Sequence, residues 1–124
     1  MKTHESAENY LETILVLQQR KGSVRAIDIA NELGFSKPSV SIALKNLREK
    51  AHVSVDDAGN ISLLPSGRKI AECILERHQL LTSWLTALGV DPDIAAEDAC
   101  RMEHVISAAS FDAIKRHATH KMSK

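Results

Sequence analysis

The segment from Ile27 to Lys50 most constrains the fold, because it contains two helical stretches separated by a very short turn. The first stretch ends at Gly34, a residue that readily adopts the left-handed conformation of a helix C-cap. The second begins at Ser36, a good N-cap, with Pro38 in the first turn, where no backbone donor is needed. Two helices joined in this way predict a helix-turn-helix. The residues expected to face inward are Ile27, Ala30 and Leu33 in the first helix and Val40, Leu44 and Leu47 in the second.

The remaining elements predict a mainly α-helical protein, in agreement with an aromatic content of only 3%. A helix over about residues 6–19, with Ser6 as its N-cap, comes first, and its inward residues are Tyr10, Leu11, Ile14, Leu15 and Leu17. Residues 53–55 and 61–63 alternate apolar with polar around the turn 56–60, which predicts a two-stranded wing. Further helices are expected over about 65–88, from about 91 to 106, and after Ser107 or Ser110. We therefore expect a winged helix-turn-helix domain over residues 1–64 and a helical domain over residues 65–124.

Composition and charge exclude several classes of protein. No apolar run approaches the ~18 residues of a membrane helix, and the charged N-terminus is not that of a secretory signal. Cys73 and Cys100 lie far apart and match no disulfide framework. The formal net charge is zero, so a DNA-binding surface would have to come from local charge placement. These features predict a cytoplasmic protein with reduced thiols and no membrane partner.

Basic residues concentrate on the second helix of the helix-turn-helix. Lys37, Lys45 and Arg48 suit phosphate binding, and small polar residues lie at the N-terminal end, where such helices contact bases. The alternative is a solvated amphipathic helix, but the wing that follows favours DNA binding. The predicted DNA contacts are Arg25, Ser36, Lys37, Pro38, Ser39, Ser41, Ile42, Lys45 and Arg48.

A second group of residues has the chemistry of a metal site. Cys100, Glu103 and His104 are spaced i, i+3 and i+4, so they share one face if the predicted helix continues through them. A thiolate, a carboxylate and an imidazole are ligands that divalent transition metals accept. One helix cannot enclose an ion, so a site would need ligands from other helices, and the candidates are Asn9, Glu12 and His78. The alternative is an ordinary polar helix face with a buried cysteine, which spacing alone favours.

Separate blocks along residues 6–110 carry a family resemblance. They are Glu8–Glu12, Asp28–Leu33, Pro38–Ser41, Ser66–Arg68, Arg77–His78, Leu88–Val90 and Glu97–His104. With these blocks in this order, the chain resembles the diphtheria toxin repressor and manganese transport regulator family of metal-dependent repressors. The resemblance implies a winged helix-turn-helix joined to a helical dimerisation and metal-binding domain, with the metal site shared with the first helix. Some members add an SH3-like C-terminal domain, which we do not expect in a chain of 124 residues.

The resemblance also implies a ligand set and a metal. The implied ligands are Glu12, His78, Cys100, Glu103 and His104, and Asn9 occupies a further position where the family usually has aspartate or methionine. Iron-responsive members resemble this chain in having cysteine at the position of Cys100, where manganese-responsive members have an acid. Because a thiolate suits iron(II) better than manganese(II), we expect iron(II) first and manganese(II) next. Zinc(II), cobalt(II) and nickel(II) are expected to substitute in vitro.

The resemblance therefore implies a homodimeric, metal-activated repressor of iron or manganese homeostasis genes that binds a palindromic operator in double-stranded DNA. The metal would act as a corepressor by fixing the spacing of two recognition helices. The alternative is a winged-helix regulator that senses an organic ligand or an oxidant through Cys100, although no second cysteine lies nearby in the sequence. We expect no enzymatic activity and no organic substrate, because nothing in the sequence indicates a substrate pocket.

Overall fold

The computed structural model describes residues 7–122, with side chains described up to residue 119. Within this range the chain forms α1 (Ala7–Lys21), α2 (Ala26–Leu33), α3 (Lys37–Glu49), β1 (Val53–Val55), β2 (Ile61–Leu63), α4 (Pro65–Ala87), α5 (Pro92–Met102) and α6 (Ala108–Met122). None of these helices is long and apolar enough to cross a membrane. The predicted N-cap Ser6 lies outside the described residues.

The chain divides into two compact units, one ending at Cys73 and the other beginning at Ile74, and the division falls within α4. The fold is the predicted mainly helical one, with a winged helix-turn-helix in the first unit. The domain boundary predicted between Leu64 and Pro65 stays a prediction.

The first unit contains the predicted helix-turn-helix and wing. Gly34 caps α2 in the left-handed conformation (φ 72°), and the Ser36 side chain accepts a hydrogen bond from the Ser39 backbone N–H at the start of α3. The strands pair antiparallel, with Val53 opposite Leu63. The core is built from α1, α2, α3 and the hairpin, and its fully buried residues include Leu11, Ile14, Val24, Ile29, Val40, Leu47 and Val53.

The inward face of α2 was predicted incorrectly at one position. Ile27 is 42% exposed, whereas Ile29 is fully buried and Ala30 nearly so. At 100° per residue the buried face is centred between residues 29 and 30, and Ile27 lies well to one side of this centre. The inward residues predicted for α1 and α3 are all buried.

The start of α4 packs closely against the turn that follows α3. A Cβ atom placed on Gly67 would lie 2.1 Å from the backbone oxygen of His52, so only glycine fits there. The His52 side chain forms a 2.8 Å hydrogen bond with the Ser66 hydroxyl, which also donates to the Ala51 carbonyl. Ala51 itself has a positive φ of 61°, an uncommon conformation for a residue with a side chain.

The second unit is a helical core formed by the rest of α4 together with α5 and α6. Leu81, Ala99 and Phe111 are its buried centre, and the residues packed against it are Leu80, Trp84, Met102, Ile106 and Ile114. Of the two predicted starts of α6, Ser107 is the one that caps the helix, because its hydroxyl accepts a hydrogen bond from the Ser110 backbone N–H. This unit therefore has an apolar core of its own.

The prediction that α5 extends to about Ile106 was wrong, because the helix ends at Met102. Glu103 is its C-cap, and the backbone N–H groups of Val105 and Ile106 both donate to the Met102 carbonyl, which closes a turn. Ile106 lies in this turn and packs on the core beside Met102. The two residues are spaced i and i+4, which is also the spacing of apolar residues on one face of a helix, and this is why the sequence predicted a longer helix. Cys100 is therefore helical, whereas His104 lies beyond the helix end.

Candidate metal centre and DNA-binding surface

Glu103 is the centre of a buried polar cluster in the second unit. Its side chain is fully buried, with Oε1 lying 2.9 Å from His78 Nδ1 and Oε2 lying 3.1 Å from His104 Nε2. His78 comes from α4, whereas His104 follows Glu103 in the turn after α5. Burying a carboxylate is costly unless each oxygen finds a partner, and here both oxygens meet imidazole nitrogens. The structure thus brings together three of the sequence-predicted ligands.

The donor atoms of this cluster fit a divalent transition metal. Imidazole nitrogen and carboxylate oxygen suit first-row ions, and the cluster is sheltered, with side-chain exposures of 29% for His78 and 7% for His104. Cys100 lies on α5, one turn before Glu103, and is part-buried. Its thiol would add a softer ligand to this set.

The other predicted ligands, Asn9 and Glu12, lie on α1 in the first unit. They are three residues apart, so both side chains lie on one side of the helix. Glu12 is buried, with 8% of its surface exposed, and Asn9 is half-buried. The other buried residues of α1 are apolar apart from Thr13, and a buried carboxylate among them is a feature that packing alone does not require.

Sequence reasoning did not include Arg77 among the functional residues. Its guanidinium Nη1 donates to the carbonyl of Glu103 (3.1 Å) and to the carbonyl of Ile106 (3.0 Å). Arg77 also lies over the ring of Phe111, 5.5 Å from its centroid. The available signal was its place beside His78 in one of the blocks that carry the family resemblance.

The predicted DNA contacts lie together on the first unit, mostly on α3. Ser39 is half-buried, and the others are exposed: Arg25, Ser36, Lys37, Pro38, Ser41, Ile42, Lys45 and Arg48. The exposed N-terminus of α3 is the positive end of the helix dipole, which favours contact with phosphate. A cationic, exposed helix with small polar residues at its N-terminus is suited to enter a DNA groove.

Ile42 is the unusual residue of this surface. It is 63% exposed, so it does not pack in the core beside the buried Leu47. It lines a cavity of about 210 Å³ together with Tyr10, Ala43 and Asn46. An exposed isoleucine at this place offers apolar contact only.

Arg25 connects the start of α2 with the wing. It is the N-cap residue of α2, and its guanidinium lies so close to Gly59 that a Cβ atom there would be 3.2 Å from Nη2. The turn of the wing is organised by Asp56, whose carboxylate accepts hydrogen bonds from the backbone of Ala58 and Asn60. The Asn60 N–H lowers the pKa of Asp56, so this carboxylate stays charged.

Both halves of the chain match models of one protein family. Residues 2–59 match the N-terminal DNA-binding domain of iron-dependent repressors, and residues 64–122 match their metal-binding and dimerisation domain. The transcriptional regulator MntR of Salmonella typhimurium is 38% identical over 109 residues, which cover 88% of this chain and 69% of that protein. The regulator of the same name from Listeria monocytogenes is 36% identical and is covered over 77% of its length. The chain belongs to the iron-dependent repressor family, whose members are metal-dependent transcriptional repressors rather than enzymes.

Solved structures of similar proteins agree with this assignment. A manganese-dependent transcriptional repressor in complex with manganese superposes with a TM-score of 0.83 at 28% identity, over 91% of this chain and 52% of that one. The manganese regulator SloR gives a TM-score of 0.81 at 25% identity, over 93% of this chain and 54% of that one. The chain therefore spans about half the length of these two structures.

Proposed function

We propose that this protein is a metal-activated, sequence-specific DNA-binding repressor that acts as a homodimer on a palindromic operator in double-stranded DNA. The observation that carries the proposal is the fully buried Glu103 carboxylate, which lies between two imidazole nitrogens in the half that matches a metal-binding domain. The exposed basic helix α3, in the half that matches a DNA-binding domain, supports the second part of the proposal. Its targets would be iron or manganese homeostasis genes, and a protein bound to the chromosome would work in the cytoplasm.

The proposed metal ligands are His78, Cys100, Glu103 and His104 of the second unit, with Glu12 and, more weakly, Asn9 of α1. A bound divalent ion would supply positive charge to this set of nitrogen, oxygen and sulfur atoms. If the proposed ligands of both units bind one ion, metal would bind one arrangement of the chain more tightly than others. An ion shifts such an equilibrium only by its difference in affinity, and this difference is the proposed basis of activation.

We further propose that iron(II) is preferred to manganese(II). The named relatives are MntR proteins, and one matching structure contains manganese, so the relatives favour manganese(II). The chemistry of this chain favours iron(II), because a thiolate such as that of Cys100 is a softer ligand than a carboxylate. The proposal rests on this one side chain.

Metal titration of the purified 124-residue chain tests both the activation of DNA binding by metal and the preference for iron(II). The chain, stripped of metal with a chelator, is mixed with double-stranded DNA selected from a random library of inverted repeats. Iron(II) under anaerobic conditions, manganese(II) and zinc(II) are then added separately while DNA binding is followed by fluorescence anisotropy. DNA affinity should rise by about 5- to 150-fold with metal. Equal DNA affinity with and without every metal would contradict the proposal.

Cys100→Glu tests the choice of ion. Replacing the thiol by a carboxylate should move the activation preference from iron(II) toward manganese(II). Cys73→Glu, which changes the exposed cysteine of α4, is the matched control and should leave the preference unchanged. An unchanged ratio of the two activation constants in Cys100→Glu would remove the support for iron(II).

A further inference from the structure

Arg77 and His78 are neighbours on α4 that hold the same residue by different atoms. His78 Nδ1 contacts the Glu103 carboxylate at 2.9 Å, whereas Arg77 Nη1 donates to the Glu103 backbone carbonyl at 3.1 Å. The side chain and the main chain of one proposed metal ligand are thus both fixed from a single helix. This arrangement defines the position of Glu103 more fully than either contact alone.

The two carbonyl groups that Arg77 binds lie past the last residue of α5, and that of Glu103 belongs to its C-cap. α5 ends at Met102, and carbonyls at a helix C-terminus have no intrahelical N–H to accept from. Arg77 Nη1 carries two hydrogens, and it donates one to Glu103 and one to Ile106, at the two ends of the turn that contains His104. Its positive charge also suits the negative end of the helix dipole.

The third contact of Arg77 fixes the guanidinium itself. The group lies 5.5 Å from the centroid of the Phe111 ring, within the range of a cation–π interaction. Phe111 belongs to α6 and is part of the buried core of the second unit. The contact with Phe111 therefore fixes the position of the Arg77 guanidinium relative to the core of the second unit.

We propose that Arg77 is a positioning residue for metal binding: it holds the turn 103–106 so that the Glu103 carboxylate and the His104 imidazole are in place before metal arrives. This inference rests on the proposed function, because it takes Glu103 and His104 as ligands. Residues that orient ligands from outside the coordination sphere affect metal affinity strongly, and their loss weakens binding by about 10- to 100-fold.

The test compares Arg77→Met with Arg77→Lys in the full-length chain. Methionine keeps much of the length and the apolar contact with Phe111 but removes all donors, whereas lysine keeps a charge and N–H groups. Arg101→Met is the matched control, because Arg101 is an exposed cation on α5 that pairs at the surface with Asp98. The measurements are manganese(II) affinity from the electron paramagnetic resonance signal of the free ion, the visible spectrum with cobalt(II), and the melting temperature of the metal-free protein.

Arg77→Met should bind manganese(II) about 10- to 100-fold more weakly and show an altered cobalt(II) spectrum, with Arg77→Lys between it and the wild type. Arg101→Met should match the wild type in both. A purely structural arginine would lower the melting temperature and leave the cobalt(II) spectrum unchanged, and that result would overturn the proposal. If Arg77→Met does not fold, Arg77→Lys decides alone: weaker manganese(II) binding supports the proposal, and wild-type affinity with a wild-type spectrum refutes it. A wild-type chain that binds no divalent metal would instead show that the proposed function itself has failed.

Discussion

The proposed DNA contacts and the buried cluster around Glu103 lie in opposite environments. In the first unit the proposed DNA contacts, such as Lys45 and Ile42, are exposed and lie outside the core. In the second unit Glu103 is fully buried and His104 nearly so, next to the apolar core. An exposed side chain can be removed with little effect on folding, whereas a buried ionisable group contributes to function and stability together. The comparison predicts that function and stability separate cleanly at the proposed DNA contacts and not at the buried metal ligands.

The largest effect is expected at His104. His104→Ala removes one proposed ligand and one partner of the buried Glu103 carboxylate, so metal-activated DNA binding should fall by about 5- to 150-fold, to the metal-free level. The free energy of unfolding should also fall, by about 1–3 kcal/mol, because a buried acceptor loses its partner. Anisotropy with metal and urea unfolding without metal measure the two quantities.

His117→Ala is the matched control, since His117 is an exposed histidine of α6. It should change neither quantity. Glu103→Gln should also abolish metal activation, because an amide is a much weaker ligand than a carboxylate. Normal metal-dependent operator affinity in both His104→Ala and Glu103→Gln would refute the ligand assignment.

Lys45→Ala tests the charged part of the first unit. The loss of one phosphate contact should weaken binding to all DNA sequences alike and reduce the slope of log affinity against log salt by about one. The free energy of unfolding should stay within about 0.5 kcal/mol of the wild type, because the residue is exposed. Lys69→Ala, at an exposed lysine of α4 outside the predicted DNA surface, should leave the salt slope unchanged. If the two variants have equal slopes, Lys45 does not contact phosphate.

Ile42→Ala tests base recognition on the same helix. An exposed isoleucine can contact thymine methyl groups in the major groove, so the variant should lose preference at one or two positions per half-site, by roughly 1 kcal/mol each. Its salt slope and melting temperature should match the wild type. Leu47→Ala, at a buried position of α3, should instead lower the free energy of unfolding by about 2–5 kcal/mol. Base preferences measured by competition with variant operators should therefore distinguish Ile42→Ala from Leu47→Ala. Unaltered base preferences in Ile42→Ala would mean that Ile42 does not contribute to base recognition.

The smallest effect concerns Asp28, where an exposed ion pair supports the start of α2. The hydrogen bond from Lys21 (2.6 Å) and that from the Arg25 backbone N–H (2.9 Å) lower the pKa of Asp28 below its ordinary value of 3.8. A carboxylate with a lowered folded-state pKa stabilises the protein above its ordinary pKa, and this contribution is lost as the pH falls through the folded value. Asp28→Asn should thus be slightly less stable than the wild type at about pH 7 and equally stable in strong acid.

The measurement is the midpoint of urea unfolding of the wild type and of Asp28→Asn, from neutral pH down to strong acid. Lys21→Met, which removes the hydrogen bond that contributes most to the lowered pKa of Asp28, should reproduce most of the pH dependence of Asp28→Asn. A stability difference that does not change with pH would mean that the charge of Asp28 makes no contribution.

Local patterns in the sequence determined most of the fold of the first unit. Gly34, Ser36 and Pro38 are signals that act on their own neighbours, so the bounds of α2 and α3 were predicted to within a residue or two. The strands were predicted from the alternation of apolar and polar residues on either side of a turn. The error at Ile27 arose because a short helix has too few apolar positions to fix the direction of its buried face. Periodicity needs several turns before it defines that direction.

The structure around the proposed metal ligands was predicted less completely, for a physical reason. The ligands were predicted from residue type and family resemblance, but the turn that follows the end of α5 at Met102 is held by a long-range contact, the hydrogen bonds from Arg77. Arg77 is 26 residues from Glu103 in sequence. No local sequence pattern predicts a hydrogen bond between an arginine side chain and a distant main-chain carbonyl. Long-range hydrogen bonds of this kind are found only in the three-dimensional structure.

The close approach of Gly67 to His52 has a consequence for anyone who exchanges domains between members of this family. A crossover placed between the hairpin and α4, at the boundary that the sequence suggests, would take His52 from one parent and Gly67 from the other. The two backbones meet with no room for a Cβ atom, so a donor with any other residue at this place would clash with the recipient's turn. Crossovers after Gly67 keep both partners from the same parent, and they are the ones that should yield folded hybrids.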